Sequence, residues 1–194
     1  MPNWCDTTYK VVGEPKEVGH LFRSLQKLES MKSSYMSNGF GNMWLGCVIN
    51  YLGGNYENYS CRGEILDFQM RDDILVISQE TAWCEQEGFR EFLEQKYPSI
   101  KVYYCEEEPG CDVYYTNDTT GLYFPERYVL DGYDGTDYFK TLDEVIVRVR
   151  DITGNSIIKT EDDVLLALDL FNEQHEDDEE DCFYYLHKFE VGDS

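Results

Sequence analysis

Basic residues are scarce beside acidic ones in this 194-residue chain. Sixteen Lys and Arg stand against 39 Asp and Glu, a formal charge of −23 at pH 7. Proteins that neutralise nucleic-acid phosphates carry a basic stripe, whereas Lys10, Lys16, Arg23, Lys27, Lys32, Arg62 and Arg71 are scattered along the chain. A surface of this charge repels polyanions, so direct nucleic-acid binding is not expected. It favours solubility and, as partner, a basic protein.

Long apolar runs are also missing. No stretch approaches the roughly 18 consecutive apolar residues of a membrane span. The opening Met-Pro-Asn-Trp-Cys-Asp has neither the basic nor the apolar region of a secretory leader. A cytoplasmic protein with no membrane contact is therefore expected. The seven cysteines are an odd set without a CxxC pair, in a chain too long for a disulfide miniprotein. Cys105 and Cys111 are not paired closely enough for a zinc site, so reduced thiols, mostly apolar fillers, are the expectation. No G-x-S-x-G, Walker A, G-x-G-x-x-G or H-E-x-x-H motif occurs. None of His20, His175 and His187 stands near a Ser or Cys nucleophile motif, and the chain reads as a non-enzymatic protein without a cofactor.

What is present is an alternation of strand-like and helix-like segments. Trp4 to Val12 reads as a strand, Gly13-Glu14-Pro15 as a turn into a helix, and Val18, Leu21, Phe22, Leu25 and Leu28 as that helix's single apolar stripe. Residues 31–59 break up into Ser, Asn, Gly and Tyr around one apolar island, residues 44–49, where a short helix is expected. Arg62 to Met70 and Ile74 to Thr81 form a hairpin about Arg71-Asp72-Asp73, and Glu87 to Tyr97 a second helix closed by Pro98. Ile100 to Glu106 and Cys111 to Thr116 are strands about a Pro-Gly turn. The order is βαββαβ plus one strand, which predicts an α+β, ferredoxin-like antiparallel sheet with two helices on one face, over residues 1–118.

Residues 119–194 read as a C-terminal α+β extension that packs on the first domain. A hairpin is expected about Asp134-Gly135, a helix opened by Thr141 and Glu144 as a capping box and closed by Gly154, a second helix from Thr160, and a last strand from Cys182 to Val191.

Asp131, Asp134 and Asp137 recur every three residues, but the spacing fails the EF-hand pattern. A solvated hairpin turn is the favoured reading, with a cation site as the alternative. The densest charge run is Glu176, Asp177, Asp178, Glu179, Glu180 and Asp181. It reads either as a solvated connection or as an acidic interaction surface. In its sharpest form that surface imitates DNA phosphates in a basic cleft. Tyr103, Tyr104, Tyr114 and Tyr115 lie on adjacent strands, where cross-strand packing fits better than base stacking beside Glu106, Glu107 and Glu108.

Met1-Pro-Asn-Trp-Cys5, Glu80-Thr-Ala-Trp83, Lys96-Tyr-Pro98 and Glu107-Glu-Pro-Gly110 together resemble the YubB-like ferredoxin-like domain family of phages, plasmids and bacterial genomes. The resemblance implies a ferredoxin-like fold and a mobile-element context, with no assigned reaction. Asp6 stands where relatives tend to have Asn, and Cys84-Glu85-Gln86 where they tend to have prolines. Trp4 enters the first strand and Trp83 leaves the third, and with Arg62 and Glu80 they mark a groove for a small ligand or substrate. The competing reading makes the tryptophans plugs of the core and pairs Glu80 with Arg62.

Overall fold

A computed structural model describes residues 3–175 and 182–192. Glu176, Asp177, Asp178, Glu179, Glu180 and Asp181, the expected acidic interaction surface, lie outside the described residues. The chain is α+β and divides into two units, the first running to Thr119 and the second from Thr120 to Val191.

The first unit begins with β1 (Trp4–Val12), whose alternation turns Cys5, Thr7, Tyr9 and Val11 inward. Helix α1 (Pro15–Glu29) follows, its proline in the first turn, and buries Val18, Leu21, Leu25 and Leu28. The segment 31–44 is irregular but tied down. The Asn42 side chain accepts from the Tyr35 amide at 2.7 Å and donates to the carbonyls of Ser33 and Leu28 at 3.2 and 3.3 Å. The apolar island forms α2 (Leu45–Tyr51), buried from Leu45 to Ile49.

Strands β2 (Gly63–Arg71) and β3 (Ile74–Ala82) are joined by a two-residue turn. Asp72 and Asp73 take φ of 46° and 66° there, which matches the twist of a tight hairpin. Helix α3 (Glu87–Lys96) starts against Ser60 at Gly88, where any side chain would strike the Ser60 backbone. Strands β4 (Lys101–Glu108) and β5 (Val113–Thr116) complete the unit's sheet in the order β2-β3-β1-β4-β5, every neighbour antiparallel. One core joins the inward residues Tyr9, Val11, Leu75, Ile77, Val102 and Tyr104 to the buried stripes of α1, α2 and α3, so all three helices lie on one face of the sheet.

In the second unit, β6 (Tyr128–Gly132) is the centre of a three-stranded sheet between β7 (Gly135–Phe139) and β8 (Tyr184–Lys188). Helix α4 (Leu142–Thr153) opens with the Thr141–Glu144 capping box and closes on Gly154 at φ 68°. Helix α5 (Glu161–His175) starts beside Asp163, whose carboxylate accepts from the Lys159 and Thr160 amides. A separate core holds Leu130, Val145, Val149, Val164, Leu168 and Tyr184. Among the described residues no helix is long and apolar enough to cross a membrane.

Candidate functional site

Antiparallel neighbours point to the same side of a sheet, so register decides which side chains meet. On the face of the first sheet away from the helices, Trp4 lies opposite Ala82, Asp6 opposite Glu80, and Glu80 opposite Glu64. The edge of β2 is met by the 31–44 segment. The Met43 carbonyl accepts from the Ile65 amide at 2.9 Å, and Trp44 bridges to Glu64. Between them opens a cleft of about 400 Å³ lined by Trp4, Phe40, Trp44, Arg62, Glu64 and Glu80, with Gly41, Gly63 and Ala82. The Phe40 and Trp44 rings stack at 4.8 Å. The indole of Trp44 sits over Gly46, where any side chain would collide with it.

Three of the four residues expected at the groove, Trp4, Arg62 and Glu80, line this cleft, and Trp83 does not. The tryptophans are not core plugs: Trp4 is 50% exposed and Trp83 49%. Nor is Glu80 paired with Arg62. Among the described residues the side chains of Arg62, Glu64, Glu80 and Asp6 form no ion pair at all. Glu64, Glu80 and Asp6 therefore make a line of carboxylates on three neighbouring strands, with Glu107 in register on the fourth. Like charges directly opposite destabilise a sheet by tenths of a kcal/mol to about 1 kcal/mol per pair.

Trp83 is held in the left-handed region at φ 74°, its amide donating to the Asn3 carbonyl at 2.9 Å. The next residues are clamped by Gln86. Its side-chain oxygen accepts from the Arg62 amide at 2.8 Å, and its nitrogen donates to the carbonyls of Cys84 and Ala82 at 3.0 and 3.3 Å. One amide side chain thus fixes the backbone on both sides of the cleft floor.

Behind the floor, on the helix side, lies a buried polar network. Tyr9 donates its hydroxyl to Glu85, the Arg90 guanidinium lies 3.2 Å from the same carboxylate, and the Glu85 amide donates to Glu106. Arg90 also stands over the Tyr104 ring, 5.4 Å from its centroid. Buried Glu85 thus faces the guanidinium, whose other carboxylate contact, Glu87, is exposed, while buried Glu106 is held by the Glu85 amide and the Cys5 thiol. Burial pushes the Glu85 carboxyl up to about 7 against the pull of Tyr9 and Arg90, and raises Glu106 as well. Burial, with Glu106 nearby, pushes the Cys5 thiol up to about 12, so it is no thiolate nucleophile at neutral pH.

No family model, curated protein or solved structure matches this chain. Its functional reading therefore rests on its own geometry.

In the second unit, Asp134 and Asp137 are bridged by the Arg148 guanidinium at 3.0 and 2.8 Å, while Asp131 accepts from the Thr136 hydroxyl at 2.8 Å. These carboxylates serve the hairpin turn and α4. Among the described residues no three His, Cys, Asp or Glu converge as a metal site. Phe40 and Trp44 were not legible as site residues, because only the folding of the 31–44 segment onto β2 brings them to Glu80, whereas Glu64 left a signal in the hairpin that sets it opposite Glu80. Glu106 left a signal, since it falls in the inward phase of Val102, Tyr104, Glu106 and Glu108.

Proposed function

We propose that this protein is a non-enzymatic binding module whose first unit takes up a basic segment of a protein partner at the cleft and the carboxylate line beside it. The observation that carries this reading is the line Glu64–Glu80–Asp6, without an ion pair among the described residues, in register, and bordering an aromatic cleft. Such a line weakens the sheet that bears it, and an incoming ammonium or guanidinium would turn that repulsion into attraction. Exposed Trp4 and Phe40 rings offer the same cation their faces, worth about 0.5–1 kcal/mol each at an exposed site. The overall charge of −23 draws a basic partner in from a distance.

The first unit is, in the same proposal, an extended ferredoxin-like domain of the kind that the YubB-like resemblance implies. Its β2-β3-β1-β4 order and its helices on one face support that reading, with β5 as an addition. The cleft volume supports a second reading, a pocket for a small cationic ligand.

A synthetic arginine-rich peptide titrated into the protein tests the proposal. Glu64→Gln/Glu80→Gln should weaken binding about tenfold or more, while Glu29→Gln/Glu91→Gln, with the same change in net charge, should leave it nearly unchanged. Equal losses in the two variants would mean that only the overall charge is read. Binding of free arginine as tight as that of the peptide would favour the small-ligand reading.

A further inference from the structure

The helix side of the first unit carries a feature of opposite sign. On α1, His20, Arg23 and Lys27 recur at spacings of three and four, which places them on one side of the helix. Lys96 ends α3. All four line a single cavity of about 420 Å³ with Tyr51 and Tyr97, and no Asp or Glu is among its lining residues. In a chain with 39 acidic residues against 16 basic ones, a cavity with four basic residues and no acidic one runs against the composition. Arg23, Lys27 and Lys96 make no ion pair among the described residues. His20 is positioned by the Tyr97 hydroxyl, 2.9 Å from its Nδ1. Gly53, in the turn after α2, leaves room for Lys96: a Cβ there would lie 3.7 Å from its Nζ.

The local explanation for such lysines is the helix dipole. Lys27 and Lys96 lie in the last turns of α1 and α3, where cations offset the negative end. The magnitudes leave a surplus. The C-terminal ends of α1, α2 and α3 supply at most roughly −1.5 elementary charges between them, and Arg23, Lys27 and Lys96 supply three positive ones. Arg23 is also too far from the end of α1 to serve as a cap. One carboxylate, Glu17, acts on the lining through Tyr97 and is tied to the Ser99 amide and hydroxyl; more distant charges are screened beyond about 8–10 Å at physiological salt, so the three cations still outnumber it.

We propose that this cavity is a binding site for a small phosphorylated molecule, its phosphate held by Arg23, Lys27 and Lys96. The surplus exceeds what a single carboxylate neutralises and suits a phosphate dianion. A guanidinium fork and two ammonium groups are the donors that phosphate oxygens take. The volume is several times that of a phosphate group and falls in the range of small-molecule pockets. The half-buried Tyr51 offers a flat face to the rest of the ligand.

Calorimetric titration of the full chain at physiological salt with inorganic pyrophosphate, ADP and acetate tests this. Pyrophosphate or ADP should bind and acetate should not, and tighter binding of ADP would show that the cavity takes a nucleotide rather than the free anion. Arg23→Ala and Lys96→Ala should each weaken binding about tenfold, the loss of one charge-assisted contact. Lys101→Ala, which removes a cation that pairs with Glu94, should not. Acetate binding as tightly as pyrophosphate, unchanged affinity in both cavity variants, or no binding of either phosphate compound would overturn the proposal. Neither Glu64 nor Glu80 lines this cavity, so the outcome is independent of the basic-partner reading.

Discussion

Replacing Glu85 by Gln should flatten part of the protein's pH–stability curve. Glu85 is 7% exposed and shares its surroundings with Tyr9, Arg90, Tyr104, Cys5 and the Glu106 carboxylate. Burial lifts its carboxyl from 4.5 to about 7. A carboxyl whose folded value exceeds its unfolded one holds its proton more tightly in the native state. Native stability therefore falls as pH rises from about 4.5 to about 7, and this contribution is level above that. At about 1.4 kcal/mol per unit the loss is about 3 kcal/mol. In Glu85→Gln the proton is gone but the amide oxygen still faces Arg90. That variant carries the uncharged isostere of the protonated carboxyl, so it should match wild type near pH 4.5 and gain on it towards neutral pH. The diagnostic is the slope. Trp4, Trp44 and Trp83 all lie in the first unit, so urea titrations followed by tryptophan fluorescence report on that unit alone. Wild type minus variant should fall by about 3 kcal/mol between pH 4.5 and 7. A difference that stays constant over that interval would refute the picture of a buried Glu85 that keeps its proton to near neutral pH.

Trp83 offers a second test. A non-glycine residue at φ 74° is strained by about 1–2 kcal/mol, so Trp83→Gly should raise the urea midpoint of the first unit, by about 1 kcal/mol after the added chain entropy of glycine. An unchanged or lower midpoint would show that the ring contributes more packing than its 49% exposure suggests. In the second unit, Thr141→Ala removes the hydroxyl that accepts from the Glu144 amide. That should lower stability by about 1 kcal/mol. Thermal melts read by circular dichroism would detect it, and a melt coincident with wild type would mean that packing alone holds the start of α4.

Much of the element order was legible because local signals agreed with the tertiary outcome. The stripe of α1, the Asp72-Asp73 turn and the Thr141–Glu144 box are each decided within a few residues. The cleft was half legible: Trp4, Glu80 and Arg62 stand on or beside adjacent strands, whereas Phe40 and Trp44 arrive from a segment whose path is set by Asn42. Trp83 was misplaced because its left-handed backbone is invisible in a strand-like pattern. The cationic cavity escaped notice for a similar reason. Arg23 and Lys27 are two of many scattered basic residues until the packing of α3 beside α1 and α2 brings Lys96 to them.

The hooking of Met43 and Trp44 onto β2 also has a colloidal consequence. β2 is the edge strand of its sheet, and a bare edge offers unpaired amides and carbonyls to any passing chain. Here that edge is met at Glu64 and Ile65 by the chain's own backbone. The register shift between Ile65 and Asp67 then breaks the regularity of the rest and turns Leu66 outward. That end of the edge is thereby blunted against pairing with another chain.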